Sequence, residues 1–139
     1  MADLPEKLQL TVVTRERRVL QESVDEVVLP GAEGAFGVLP GHTPLLAMLR
    51  IGVLTYRIGG REHHVALSWG FAEVLADRVI VLAEGAYLAD EVDAAAAERQ
   101  RVEAEKELAM LASHDEAFAE AEARLEESIA QINVASRSH

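Results

Sequence analysis

Along residues 8–84 apolar positions recur in short runs with a period near two. Leu8, Leu10 and Val12 are separated by Gln9 and Thr11. The stretches 24–29 (VDEVVL), 53–58 (VLTYRI), 62–68 (EHHVALS), 71–75 (FAEVL) and 79–83 (VIVLA) are rich in β-branched and aliphatic residues. That pattern predicts half-buried strands. Gly59-Gly60 falls between two of the runs and suits a two-residue hairpin turn with positive φ. Asp77-Arg78 offers a second hairpin turn. Strands spaced this regularly, with no helical segment between them, predict an antiparallel sandwich or barrel.

The period changes at Asp90. From there to Ala112 the chain has no glycine or proline and much alanine, which favours helix. Asp90 is a candidate N-cap, with Glu91 and Asp93 in the first turn. Ser113-His114-Asp115 interrupts the helix, and either Ser113 or Asp115 can cap a second one. Phe118, Ala121, Leu125, Ile129 and Ile132 form its apolar stripe. Ala95, Val102 and Ala109, widened by Leu108 and Leu111, form the stripe of the first. Two helices joined by so short a break predict an antiparallel hairpin. The expected architecture is therefore α+β: residues 1–89 an N-terminal β-sandwich head, residues 90–139 a C-terminal helical tail.

Charge sharpens this division. The chain of 139 residues carries a formal net charge of −11. Residues 1–89 hold 8 basic and 11 acidic side chains, and residues 90–139 hold 5 and 13. So acidic a chain repels phosphate backbones and anionic lipid heads, which argues against nucleic acid and against direct lipid insertion. Residues 1–10 do not read as a secretory signal, and no apolar run reaches the ~18 residues of a membrane span. Cysteine is absent, so disulfide and thiolate chemistry are excluded.

A search for reactive constellations finds none. Gly31, Gly34 and Gly37 form a GxxGxxG series, which is neither a dinucleotide fingerprint nor a P-loop and is better read as a turn or a close backbone approach. The histidines are His42, His63, His64, His114 and His139. The adjacent pair points to opposite strand faces, and no pair has helical metal-ligand spacing, so no metal site is expected. Ser23, Ser68 and Glu73 lack partners for nucleophilic or acid–base work.

Residues 29–54, LPGAEGAFGVLPGHTPLLAMLRIGVL, resemble the signature segment of the epsilon subunits of bacterial F1Fo ATP synthases. Pro30, Gly31, Gly34, Gly37, Val38, Leu39, Pro40, Gly41, His42, Pro44, Leu45 and Leu46 fit it. Residues 68–74 (SWGFAEV) resemble that family's Ser-Gly-Gly-Phe-x-Glu-Val, with Trp69 in place of a glycine. Further likeness runs from about Leu8 to Val134. The resemblance implies a flattened sandwich followed by two helices. It also implies a non-catalytic rotor subunit that packs on gamma and the c ring, peripheral on the cytoplasmic side of the bacterial cell membrane. It assigns partner contact to Gly31, Gly34, Phe36, Gly37, Pro40, Gly41 and His42. The gap between Gly34 and Gly37 often holds an acid in the family. Ala35 and Phe36 occupy it here, so an apolar contact through Phe36 is expected. The tail, with Asp93, Arg99, Arg101, Val102, Arg124 and Leu125, is expected to inhibit ATP hydrolysis by extending into the α3β3 head.

Some family members bind ATP through Ile/Leu-Asp-x-x-Arg-Ala. Here the stretch is Val92-Asp93-Ala94-Ala95-Ala96-Ala97. Asp93 fits, but Ala96 stands where the arginine belongs, and triphosphate binding needs cationic donors. No cofactor is expected. The rival reading, from another class, is a free-standing ATP-sensing or protein-binding module on the same fold; co-purification with gamma separates the two.

Overall fold

The computed structural model describes residues 4–137. Residues 1–3 and 138–139, and with them His139, lie outside the described residues. The strands are β1 (Leu8–Val13), β2 (Arg18–Val24), β3 (Glu26–Gly31), β4 (Gly34–Val38), β5 (Leu45–Leu49), β6 (Gly52–Ile58), β7 (Arg61–Leu67), β8 (Gly70–Val74), β9 (Arg78–Ala83) and β10 (Ala86–Leu88). A 3-10 turn at Ala89–Glu91 leads to helices α1 (Ala94–Met110) and α2 (Glu116–Ser136).

One continuous sheet, in the order β10-β7-β6-β3-β5-β8-β9-β1-β2, folds over into two layers, with β4 on the side of β3. β3 is the strand that changes layers. Its first residues pair with β6 (Glu26 opposite Arg57), and its last, Gly31, pairs with Leu49 of β5. The corner is tight: a Cβ on Gly31 would meet the Gly34 carbonyl oxygen and the Phe36 ring. Alternate residues of both layers meet inside. Leu8, Leu10, Val12, Val27, Leu29, Leu54, Val65, Leu67, Val74, Val79 and Val81 are all essentially inaccessible. Every fully covered member of this cluster lies between Leu8 and Ala86.

The structure revises several expectations. β1 runs parallel to β9, with Leu10 opposite Val79, so the sandwich is not wholly antiparallel. β2 escaped the periodicity because it is an edge strand with only Val19 and Val24 covered. Gly59 and Gly60 do form the hairpin turn, at φ +57° and +84°. The β8–β9 turn is centred one residue earlier than expected, on Ala76-Asp77, with the Leu75 amide donating to the Arg78 carbonyl at 2.9 Å.

In the tail, Asp90 does not cap the helix. Asp90 and Glu91 are used in the 3-10 turn, Val92 is extended, and Asp93 is the N-cap, accepting from the Ala96 amide at 3.0 Å. Asp115, rather than Ser113, caps α2 through the Ala117 amide. The break between helices begins at Leu111, whose backbone is extended (φ −105°, ψ 148°). The seam also differs from the expected stripes. Ala97 and Ala104 are the covered positions of α1, while Ala95 and Ala109 are exposed. On α2 the covered positions are Ala121, Ser128, Ala130 and Val134, while Ile129 is exposed. Alanines seven residues apart let the helix axes approach closely, which a purely volume-blind reading of apolar periodicity misses.

Because the head's core draws nothing from the tail, a chain ending at Ala89 is expected to keep a cooperative melt and a β-sheet circular dichroism spectrum. A non-cooperative melt would mean that the helices supply part of the core.

Candidate functional site

Gly31 to His42 do not form one loop. β4 runs through the middle, opposite β3 in the register Leu29–Phe36 and Val28–Gly37. The segment therefore presents two separate ends, about 17 Å apart for a five-residue strand. At one end Ala32, Glu33, Gly34 and Ala35 form an exposed tip, with the Ala32 amide donating to the Met48 carbonyl at 2.8 Å. Gly34 holds the tip at φ +134°. At the other end Pro40, Gly41 and His42 make a turn. The Gly41 amide donates to the Ala76 carbonyl at 2.7 Å, and His42 Nδ1 lies 2.6 Å from the Thr43 carbonyl oxygen. Phe36 does not project as expected. Its ring is half-buried against the core and covers Gly31, so Ala32–Ala35 is what the tip exposes.

A more extensive surface lies on the outer face of β5, β8 and β9. Pairing sets Met48 opposite Phe71 and Phe71 opposite Leu82, so three large apolar side chains form one rung across three strands. They are 62 %, 48 % and 55 % exposed, and Trp69, 52 % exposed, stands beside them. Together with Gly70 and Glu84 they line a shallow groove of about 360 Å³. Leu46, two residues along β5 from Met48 on the same face, extends the apolar surface. Apolar residues this large and adjacent mark a docking face. Sequence reading missed them, although a signal existed. Residues 79–83 (VIVLA) are apolar throughout instead of alternating, which is how a strand covered on both faces reads.

The second feature is the join between tail and head. On the outer face of β6 and β7, Val53 and Ala66 meet Ala130 and Val134 of α2, with Ala89 at the side. Ser68 Oγ donates to Glu127 at 3.2 Å. Arg17, in the β1–β2 turn, grips Glu91 at 2.7 Å, while Glu91 also accepts from the Leu88 amide. The Arg17 bond holds the Glu91 carboxyl below the usual carboxylate range and raises Arg17. Beside the join lies an open groove of about 830 Å³ whose polar lining includes Arg61, His63, His64, Asp90 and Arg137.

The tail cations expected to take part in regulation are largely paired within the hairpin. Arg101 binds Glu98 and Glu105, and both bonds raise its pKa. Arg124 pairs with Glu107 of the facing helix, and its carbonyl accepts from Gln100 Nε2 at 3.1 Å. Arg99 is exposed, and Val102 and Leu125 are half-buried. Among the described residues no group of three or more potential metal ligands comes together.

Two levels of similarity accompany this geometry. The family model described as "ATP synthase, Delta/Epsilon chain, beta-sandwich domain" matches residues 7–89, the head. The chain is 46% identical over 135 residues to the "ATP synthase epsilon chain" of Geobacter sp. (strain M21), covering 97% of this chain and 98% of that one. This chain belongs to the ATP synthase epsilon chain family. The epsilon chain of Syntrophobacter fumaroxidans is 45% identical, covering 97% of this chain and all of its own. In three dimensions the epsilon-type architecture recurs in a chain of the cryo-EM structure "Euglena gracilis mitochondrial ATP synthase, OSCP/F1/c-ring in rotational state 1", at TM-score 0.81 and 27% identity. The match covers 98% of this chain and 85% of that one. An epsilon chain is a subunit of the rotary complex and not a catalyst by itself. It is part of the peripheral F1 portion, and no described helix is long and apolar enough to cross a membrane.

Proposed function

We propose that this chain couples rotation in a bacterial F1Fo ATP synthase, on the cytoplasmic side of the cell membrane. The head docks on gamma and on the c ring, and the tail restrains ATP hydrolysis by α3β3. The exposed rung Met48, Phe71 and Leu82, with Trp69, carries the reading, because a rotor element must bind its axle tightly through a rigid surface. Gamma takes this face, and the exposed tip Ala32–Ala35 reaches the c ring. The neighbouring Euglena structure contains F1 and a c ring.

The tail suits an inhibitory role on two counts. It rests on a patch of alanine and valine that contributes only on the order of a few kcal/mol, so exchange with an undocked form is accessible. Drawn out as one helix, residues 94–136 would span about 65 Å at 1.5 Å per residue. Extension requires Leu111 to move from extended to helical backbone and the Asp115 cap to open.

The chain regulates without holding a nucleotide. Ala96 supplies no charge at the family's arginine position. Asp93 spends its carboxylate on the helix cap, and Arg101 and Arg124 are neutralised by glutamates. A triphosphate would have to compete with those carboxylates.

Phe71→Glu is expected to leave the melting temperature of the isolated chain nearly unchanged and to weaken gamma binding by about a hundredfold or more. The chain's one tryptophan, Trp69, reports the contact by a blue shift on binding. Unaltered affinity would place the gamma contact elsewhere. In the same complex, removing residues 90–139 is expected to raise ATP hydrolysis, and an unchanged rate would leave the tail without an inhibitory part. Calorimetry at millimolar ATP is expected to show no saturable heat; a micromolar Kd would overturn the nucleotide-free reading and direct attention to Arg99.

A further inference from the structure

Tail docking is a contact between a sheet face and a helix, and one side chain on that face is a histidine. His64 lies two residues from Ala66 on β7, hence on the same outer face, and its ring Nδ1 is 2.9 Å from Thr55 Oγ1 on β6. His64, Val134 and Arg137 line one groove, where the last turn of α2 closes over the sheet. We infer that His64 makes tail docking proton-sensitive: the neutral imidazole lets α2 lie on β6 and β7, and the imidazolium favours release. The inference rests on the reading of the tail as a movable inhibitory element.

The groups around the ring set the sign. β6 contributes the Thr55 hydroxyl and, on its other face, Tyr56. β7 contributes Arg61, Glu62 and His63. The 3-10 turn contributes Asp90, and α2 contributes Arg137, while β10 offers only Leu88 to the groove. Burial and the Arg137 guanidinium, aided by His63, push the His64 pKa below its ordinary value, and Glu62 opposes them without reversing the direction. Protonation does not cost the Thr55 bond. The hydroxyl donates to a neutral Nδ1 and can rotate to accept from a protonated one. What protonation adds is a second cation beside Arg137 under a covering helix.

A tail that undocks returns His64 to water and raises its pKa, so the undocked state binds more protons. The docked state therefore has its full stability above the ordinary histidine pKa, about 6.5. It loses that stability as pH falls from there toward the lowered docked value. In the join, Glu91 is held below the usual carboxylate range by Arg17. His63 stacks on Tyr56 at 5.0 Å between ring centroids, on the face turned away from α2. His114 lies in the break between the helices. Acidification would thus free the tail in the compartment where the head operates.

The test uses the full chain, which has no cysteine of its own. Spin labels on Ser23→Cys in β2 and Ser113→Cys in the helix break report the head–tail distance. Between about pH 8 and about pH 5.5 the undocked population is expected to rise at least about threefold in the otherwise wild-type chain. His64→Gln, which keeps a partner for Thr55, is expected to flatten the curve, and Arg137→Gln to move its midpoint to higher pH. A wild-type distribution that ignores pH, or a His64→Gln curve superimposed on it, overturns the inference. ATP hydrolysis by α3β3γ carrying the chain separates this from the functional reading. Inhibition that is lost on tail removal but indifferent to pH would defeat the proton switch alone. Acid release of a tail whose removal changes nothing would defeat the inhibitory role.

Discussion

Ala66, on the outer face of β7, is covered by Ala130 and Val134 of α2, with Val53 and Ala89 closing the sides. Everything the tail does is bounded by this contact. It is apolar, which makes it specific for a helix face with small residues, and it is small, which keeps its free energy near the scale on which ligands and partners act. Around it, the Arg17–Glu91 pair and the Ser68–Glu127 bond fix orientation, but both are partly exposed and add little net stability. The hairpin's own seam repeats the theme: Ala97 and Ala104 against Ala121 and Ser128 allow close approach without large buried area.

The head is built on the opposite principle. Leucine and valine from every strand fill a closed interior, and β3 ties the two layers by pairing with one and then the other. Such a core transmits force without yielding, because close-packed interiors resist small displacements. The exposed rung of Met48, Phe71 and Leu82 is carried on three adjacent strands of this sheet, so a partner bound there is bound to the rigid body itself. A stiff coupler and a loosely held arm can thus coexist in one short chain, divided near Ala89.

How much of this was legible in the sequence depended on what each residue touches. Strands with one covered face announced themselves, and so did the change of period at the head–tail boundary. The edge strand β2 did not, because its outer residues, Arg18, Gln21, Glu22 and Ser23, are those of a loop. β4 hid among glycines, of which Gly31 serves the tight corner and Gly34 its positive φ. The helical seam was placed in part: Ala121 is covered and Val102, Phe118, Leu125 and Ile132 are half-buried as expected, while Ala95 and Ala109 are exposed. The covered positions are mostly small, Ala97, Ala104, Ala121, Ser128 and Ala130 with Val134, while Ile129 faces outward. The signature residues Gly31 to His42 are one run of sequence, but the structure sends them to two ends of a strand. The docking rung required register, which no local pattern contains: Met48, Phe71 and Leu82 become neighbours only when three strands pair.

Hydrogen exchange on the isolated chain weighs the tail's contact against the head's core most directly. If the contact is as slight as its residues indicate, amides of α1 and α2 exchange through local undocking and fraying, at least about a hundredfold faster than those of Leu54 and Val65, which open only with the whole head. Equal protection across α2 and the core strands would show the tail to be an integral part of the folded unit and would contradict the account.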